Sequence, residues 1–513
     1  MEEAFDRFWR QHPALLYAIS AVIGFYSTAF SSLWLVIPFV CVWWPLVQAS
    51  CRTRLLHALI IMGAMCCYGK AAYRFPCLPP QGIAGSVHFT ISSLSLSQTL
   101  FGQQWVYQGK AKIFIPDKAE EKTYWGLSAP CRVKLGKIRA IQRPPANCSY
   151  VIHGTLKELG RGSYRLDVDK KAKWRSVKGS WSLGEWRYHL KTRVKRLIIN
   201  TMPSRRAAEF LCGMITGDFE DRLMRYEFGK VGLQHLMAIS GFHFACLAAF
   251  LSSLLRLVMP RKSSVALLVF LLTLYVLVLG CSPSVVRAWI MSVVALSGSV
   301  IEKQSISLNS LGIAILMVLF FDPALSLSLG FLFSVITTAS IVLWHPIAKT
   351  FLENHLIQRR HLEQMMSMSL LDQHCYLLLS LLRSCLSLAI AVNLVALPLA
   401  LYFFQSFPVL GLVYNAFIPF LVSFCIVLFL LGVAVSVVLP FLGSFLHHIN
   451  SALTDFILNC IYQLPVTVNY SWYVPSFSIY VLLSYLCIVF TVGIYFHVFL
   501  EDQKKERVDL MFV

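Results

Sequence analysis

Apolar and polar positions divide the chain into three regimes. Residues 14–30, 32–49 and 55–69 form near-continuous apolar runs. From about 75 to 200 the apolar positions shorten into alternating stretches, such as VHFTISSLSL, WVYQGKAKIFI, CRVKLGKIRAI and SYRLDVD, punctuated by Gly, Pro and charge. Beyond 231 long runs return, among them VALLVFLLTLYVLVLG (265–280) and SIYVLLSYLCIVFTVGIYFHVFL (478–500). Alternation with period two, broken by turn residues, predicts strands gathered into a small β-barrel or sandwich. Runs of about 20 apolar residues match the thickness of a bilayer core and predict spanning helices.

Nine further spans are predicted near 233–255, 264–281, 284–301, 307–321, 325–344, 382–404, 409–438, 441–463 and 477–499, about twelve with the first three. The stretch GEWRYHLKTRVKRLIIN (184–200) reads as a basic amphipathic helix, either leading back to the membrane or showing a solvated face. The predicted divisions are 1–74 (N-terminal membrane segment), 75–183 (basic β domain), 184–230 (amphipathic helix and linker), 231–500 (membrane domain) and 501–513 (basic tail).

Composition agrees with a polytopic α-helical membrane protein. The chain is 57% hydrophobic and 14% charged, with a mean hydropathy of +0.65. A soluble protein of this size carries roughly 25% charged residues. The opening MEEAFD is acidic and its first apolar run is followed at once by another, so a retained span is expected over a cleaved signal.

Positive charge orients the spans. With Arg7 and Arg10 inside, Arg52, Arg54, Arg256, Arg261, Lys262, Lys303, Lys349, Arg359, Arg360 and the tail cations Lys504, Lys505 and Arg507 also fall inside. The turns at Cys281-Ser282-Pro283 and Phe321-Asp322-Pro323 go outside. Both termini are then cytoplasmic and 75–200 lies outside.

That outer region holds most of the excess charge. Between 105 and 200 there are 22 Lys or Arg against 7 Asp or Glu, a net of +15, where the whole chain carries +20. Trp105, Tyr107, Tyr124, Trp125, Tyr164, Trp174, Trp181, Trp186 and Tyr188 are interleaved with the cations. Cations that track phosphates and rings that stack on bases suit a single-stranded nucleic acid. The alternative is a charged face that keeps the domain soluble or against anionic headgroups, with the aromatics in its core. The candidate DNA contacts are Lys134, Lys137, Arg139, Arg165, Lys171, Lys173, Trp174 and Arg175. Cys131 and Cys148 are either a disulfide or two thiols, with Cys77 a competing partner.

Three polar islands interrupt the apolar half. In LQHLMAISGFHFACLAAFL (233–251), His235 and His243 lie eight residues apart, about 12 Å along a helix, too far to share a metal. Ser240 is in no G-x-S-x-G elbow and has no nearby carboxylate, so a hydrolase triad is unsupported. Ser240 and Gly241 instead suit a broken or closely packed helix, or interhelical packing alone. The second island, CSPSVVRAWIM (281–291), holds Ser282, Pro283 and Arg287. Arg287 either snorkels to the surface or lines an aqueous path for an anion. In the third, FFDPALSLSLGFLFS (320–334), Asp322-Pro323 reads as a turn capping the next helix. Each Gly-Lys pair is followed by Ala, Ile or Val, so the chain carries no P-loop, and it lacks the H-E-x-x-H signature. No enzyme class and no cofactor is indicated.

The three islands, in this order and spacing, together with AAEFLCGMITGDFEDRL (207–223) and the weaker FFQSFPVLGLVYNAFIPFLV (403–422), resemble the ComEC competence proteins, DNA-uptake channels of bacteria. The resemblance runs from about 200 to 500, and the leading spans and β domain are similar to the family's N-terminal portion, with its oligonucleotide-binding (OB) type fold. It implies a cytoplasmic-membrane channel that passes one DNA strand while the other is degraded. The polar residues of the islands would line or shape the path. The partners implied are single-stranded DNA, membrane lipids, a cytoplasmic translocase or helicase and an extracytoplasmic DNA receptor. Many members carry a C-terminal metallo-β-lactamase-like domain that this sequence lacks, so a separate nuclease is expected. The wording around Glu302-Lys303 and 330–333 also departs from the family's. The competing expectations are a transporter of a smaller anion and a structural envelope protein.

Overall fold

A computed structural model describes residues 2–29, 51–72, 78–99, 102–117, 124–136, 143–160, 163–169, 173–237, 241–280, 282–300, 307–321, 325–326, 328–355, 368–463 and 470–511. Within the 75–200 region five strands close on themselves: β1 (Ile83–Thr99), β2 (Gly102–Pro116), β3 (Tyr124–Gly136), β4 (Ser149–Gly160) and β5 (Ser163–Val168). They pair in the order β1-β2-β3-β5-β4, and β4 pairs back with β1. The β3–β5 pair is parallel and the others are antiparallel. Of the two β architectures expected, this is the barrel, and its five-stranded closure is OB-like. A two-residue strand, β6 (Arg175–Ser176), extends β4.

Period two explains the barrel core. Val87, Phe89 and Ile91 from β1, Tyr107 from β2, Val133 from β3, Ile152 from β4 and Leu166 from β5 are all buried. So are Trp105, Tyr150 and Tyr164, while Trp174 and Tyr188 pack against the same core. The Tyr107 hydroxyl donates to the Pro144 carbonyl at 2.7 Å and that of Tyr150 to Pro145 at 2.8 Å. An aromatic ring buries a large apolar area, and its hydroxyl needs only one partner to follow it inside. Most of the described aromatics expected to offer a stacking surface therefore fill the barrel, and Trp181 and Trp186 remain exposed.

The helices are α1 (Glu2–Gln11), α2 (Pro13–Ala29), α3 (Cys51–Ala72), α4 (Gly184–Thr201), α5 (Arg205–Thr216), α6 (Arg222–Lys230), α7 (Gly241–Val258), α8 (Arg261–Leu279), α9 (Pro283–Val300), α10 (Ser307–Phe321), α11 (Leu329–His355), α12 (Leu370–Phe404), α13 (Gly411–Val438), α14 (Pro440–Tyr462) and α15 (Ile479–Met511). Among the described residues, α8, α11, α12, α13 and the Ile479–Gln503 part of α15 are long and apolar enough to cross a membrane, and four shorter apolar helices join them. The protein is a membrane protein with a small β domain. The expected span at 32–49 and the Glu302-Lys303 segment between two later spans lie outside the described residues.

The termini are tied together. Arg7 of α1 pairs with Asp502 of α15 at 2.5 Å, and Phe8, Leu343, Ile494 and Val498 bury one cluster beneath them. The expected basic tail is thus a continuation of α15.

Helix α4 joins the barrel to the membrane helices in an unexpected way. Its buried positions include Arg187 and Lys191, so part of its basic stripe faces protein. Arg187 Nη1 donates to Ser92 O of β1 at 2.7 Å, and its Nε donates to Leu277 O of α8 at 2.5 Å. Lys191 pairs with Asp218 at 3.1 Å and reaches Leu279 O at 3.5 Å, and Lys195 pairs with Glu220 at 2.7 Å. The carbonyls that end α8 have no partner within the helix and carry its negative pole, so cations settle there.

Candidate functional site

The polar islands converge on Arg287. The first begins where α6 ends. Gly232 takes φ 73°, its amide donates to Gly229 O at 3.1 Å, and the Leu233 amide donates to Phe228 O at 2.8 Å. This pair of bonds closes a Schellman motif, whose left-handed position favours glycine. A Cβ at 232 would also stand 3.3 Å from the Gly411 Cα of α13. The chain then makes a 3-10 turn, Gln234–Met237, and α7 is described from Gly241. Within the expected span 233–255 the described residues thus begin with a 3-10 turn and continue as α-helix from Gly241. His235 sits in the 3-10 turn and is exposed, whereas His243 is buried in α7. Ser240 lies outside the described residues.

Gly241 opens α7 against the second island. A Cβ there would come 3.1 Å from Arg287 Nη2 and 3.8 Å from the Ala288 Cβ. The bare glycine is what lets the guanidinium lie across the helix start. Ser282 is exposed at the head of α9, Pro283 begins that helix, and Arg287 lies one turn in and only 8% exposed. The arginine does not snorkel outward.

The end of the third island and the helix turn after it supply its partners. Arg287 Nε donates to Ser334 Oγ at 2.8 Å and Nη1 to Thr338 Oγ1 at 2.6 Å, with Met291 Sδ at 3.6 Å. Ser334 and Thr338 stand one turn apart on α11, on the same face. Thr338 also donates to Ser334 O at 2.7 Å, which orients its hydroxyl. Among the described residues no carboxylate pairs with Arg287. Neutral hydroxyls satisfy N–H donors without cancelling charge, so the guanidinium keeps a positive potential inside the bundle. Such a group attracts an anion into a low-dielectric space.

Asp322 and Pro323 lie outside the described residues. The residue capping α11 is Ser328, whose hydroxyl accepts from the Phe331 amide at 3.3 Å. Ser326 is buried, and its carbonyl accepts from the Tyr26 hydroxyl at 2.8 Å, which anchors α2 on this island.

On the barrel, Lys134, Lys173 and Arg175 are exposed, Arg165 is half-buried, and Lys137, Arg139 and Lys171 lie outside the described residues. Trp174 packs its ring 5.0 Å from Tyr107 and 5.3 Å from Tyr150, so it supports the core. Cys131 and Cys148 are free thiols. Burial pushes the Cys131 thiol up to about 12.

Ser334 and Thr338 were not singled out in the sequence. Their only signal is a hydroxyl pair at helical spacing on an apolar run. At the whole-chain level, the Competence protein family matches residues 218–499, an interval that holds all three islands. A 198-residue stretch is 30% identical to ComE operon protein 3 of Bacillus subtilis (strain 168), covering 38% of this chain and 22% of that protein. No solved structure matches the chain.

Proposed function

The chain belongs to the ComEC/Rec2 family of competence proteins, and on that premise we propose that it is a channel for single-stranded DNA across the cytoplasmic membrane during transformation. The observation that carries this reading is Arg287. A buried guanidinium is held by Ser334 and Thr338, faced by Gly241 and matched by no described carboxylate. It is a phosphate-attracting point at the junction of three polar islands.

In this reading His235, Ser240, Gly241, His243, Ser282, Pro283, Arg287, Asp322 and Pro323 line or shape the path. About twelve spans keep both termini inside, which the Arg7–Asp502 pair supports by holding the termini together. The barrel stands outside and captures the strand through Lys134, Lys137, Arg139, Arg165, Lys171, Lys173 and Arg175. The force comes from a cytoplasmic translocase or helicase, an outer receptor delivers DNA, and a separate nuclease removes the second strand. One specific observation favours a smaller anion as cargo: the described path offers a single guanidinium, enough for one phosphate or carboxylate.

Uptake of labelled DNA into the cytoplasm tests the proposal, with wild type beside a knockout and a deletion of 75–180. DNA passage predicts loss of uptake in the knockout and strong impairment in the deletion. Equal uptake in the knockout contradicts any channel role, and transport of a small anion that survives the deletion favours the second cargo.

A further inference from the structure

Helix α4 runs along the junction between the barrel and the membrane helices. Its Arg187 touches both layers, donating to Ser92 O of β1 at 2.7 Å and to Leu277 O of α8 at 2.5 Å. One turn on, Lys191 reaches Leu279 O at 3.5 Å. Leu277 and Leu279 belong to the last turn of α8, a helix long and apolar enough to cross a membrane. The end of a spanning helix marks the depth at which hydrocarbon gives way to headgroups. The segment after α4 is held near that level too, because the Tyr275 hydroxyl of α8 donates to Ile215 O of α5 at 3.0 Å. With the barrel along one edge of its buried face and the end of α8 along the other, α4 turns its free face sideways at headgroup depth.

The two faces of α4 differ in what meets their cations. At about 100° per residue, Arg187, Lys191 and Ile198 fall on one side, and all three are buried. Trp186, Arg193, Arg196 and Leu197 fall on the other, and all four are exposed, Trp186 by 43% and Leu197 by 47%. On the covered side Lys191 is matched by Asp218 and Lys195 by Glu220. His189, also exposed, meets Glu185 at 3.1 Å. No carboxylate among the described residues pairs with Arg193 or Arg196. Charge alone would suit open water, but an indole and a leucine share the stripe with the two guanidiniums. An indole is favoured where its ring meets apolar matter and its N–H meets water. Arginine likewise lays an apolar stem along hydrocarbon while its head stays among polar groups.

We propose that the free face of α4, formed by Trp186, Arg193, Arg196 and Leu197, binds anionic phospholipid and so pins the barrel to the membrane surface. The guanidiniums donate to lipid phosphates, and Trp186 and Leu197 enter the upper acyl region beside them. Because Arg187 ties the other face of α4 to Ser92, a lipid hold on α4 sets the position of the barrel over the bundle. The attachment goes beyond the conduit reading, since it is the same whether the cargo is DNA or a smaller anion.

The test is hydroxyl-radical oxidation of Trp186, read by mass spectrometry, on the full chain in nanodiscs. The discs hold phosphatidylcholine alone or with about one-third phosphatidylglycerol, an anionic lipid that attracts cations near the surface. Wild type is compared with Arg193→Gln/Arg196→Gln, with the charge-keeping Arg193→Lys/Arg196→Lys, and with Lys173→Gln/Arg175→Gln on the barrel. Each cation against an anionic surface strengthens attachment about five-fold, so phosphatidylglycerol should slow oxidation of the wild type at least about three-fold. The Lys pair and the barrel pair should keep that protection. The Gln pair at 193 and 196 should lose it while matching wild type in phosphatidylcholine, which shows that the fold is intact. Equal wild-type oxidation in the two lipids overturns the proposal, as does full protection of the Gln pair. Protection of Trp186 by oligothymidine but not by phosphatidylglycerol assigns the face to nucleic acid and also overturns it.

Discussion

Arg287 carries a full positive charge into a helix bundle and meets hydroxyls there. Buried charge of this kind disfavours folding, and apolar replacement of buried ionic groups has proved neutral or stabilising by about 1–4 kcal/mol elsewhere. Arg287→Met is accordingly expected to keep or raise the melting temperature in detergent while abolishing transport. Arg287→Lys should retain part of the activity, because a point charge cannot reach Ser334 and Thr338 with one planar fork. A Met variant that unfolds and loses function together would mark a packing role. At Gly241 an added methyl must displace the guanidinium by a few tenths of an ångström, given the 3.1 Å approach. Gly241→Val should therefore cut transport more than Gly241→Ala, with little change in expression, as read by uptake normalised to membrane abundance. Arg287 and Gly241 were legible in the sequence because charge and glycine are conspicuous in apolar runs. Ser334 and Thr338 were not, since which hydroxyls of a helix meet a distant arginine is decided by how the helices pack.

Elements bring in the barrel and its clamp. Arg143 forms two bonds to Glu185 of α4 at 2.9 and 2.6 Å, and Glu185 also accepts from the Ala146 amide at 2.7 Å. The guanidinium lies 4.8 Å over Trp105 and 5.1 Å over Tyr188. Burial raises the Glu185 carboxyl, yet Arg143 and the amide hold it below the usual range. Removing one partner of a buried pair costs about 3 kcal/mol. Glu185→Gln should loosen the barrel from α4 by about that amount, seen as faster proteolysis between them. His153 offers a pH handle. It contacts Asp169 at 2.7 Å and Asp117 at 3.0 Å, and both raise its imidazolium above the ordinary 6.5, Asp169 first. A raised folded value means the contribution is complete below pH 6.5 and fades as pH rises through the folded value. Melting of the wild type should fall relative to His153→Gln across that window, by a small amount because all three groups are exposed. Equal pH profiles would show that the His153 contacts to Asp169 and Asp117 add nothing to stability. The strands were legible because alternation is a local property. Which face turned inward was not, and the rings of Tyr107 and Trp174 went to the core. Nor did the basic pattern of α4 foretell that Arg187 would reach the end of α8.

For the molecule as a whole, a small β-barrel is joined through the α4 clamp to a bundle of apolar helices that holds Arg287. The membrane class was plain from the length of the apolar runs. Span count was less plain, because among the described residues five helices are long and apolar enough to cross and four apolar ones are shorter. In the proposed channel Arg287 acts on the cargo rather than on the fold. The most direct measurement is cytoplasmic uptake of labelled single-stranded DNA in cells carrying wild type or Arg287→Met at equal membrane abundance. A channel role for Arg287 predicts a fall of at least about ten-fold, equivalent to ~1.4 kcal/mol in the transport barrier. Uptake by Arg287→Met equal to wild type would contradict it.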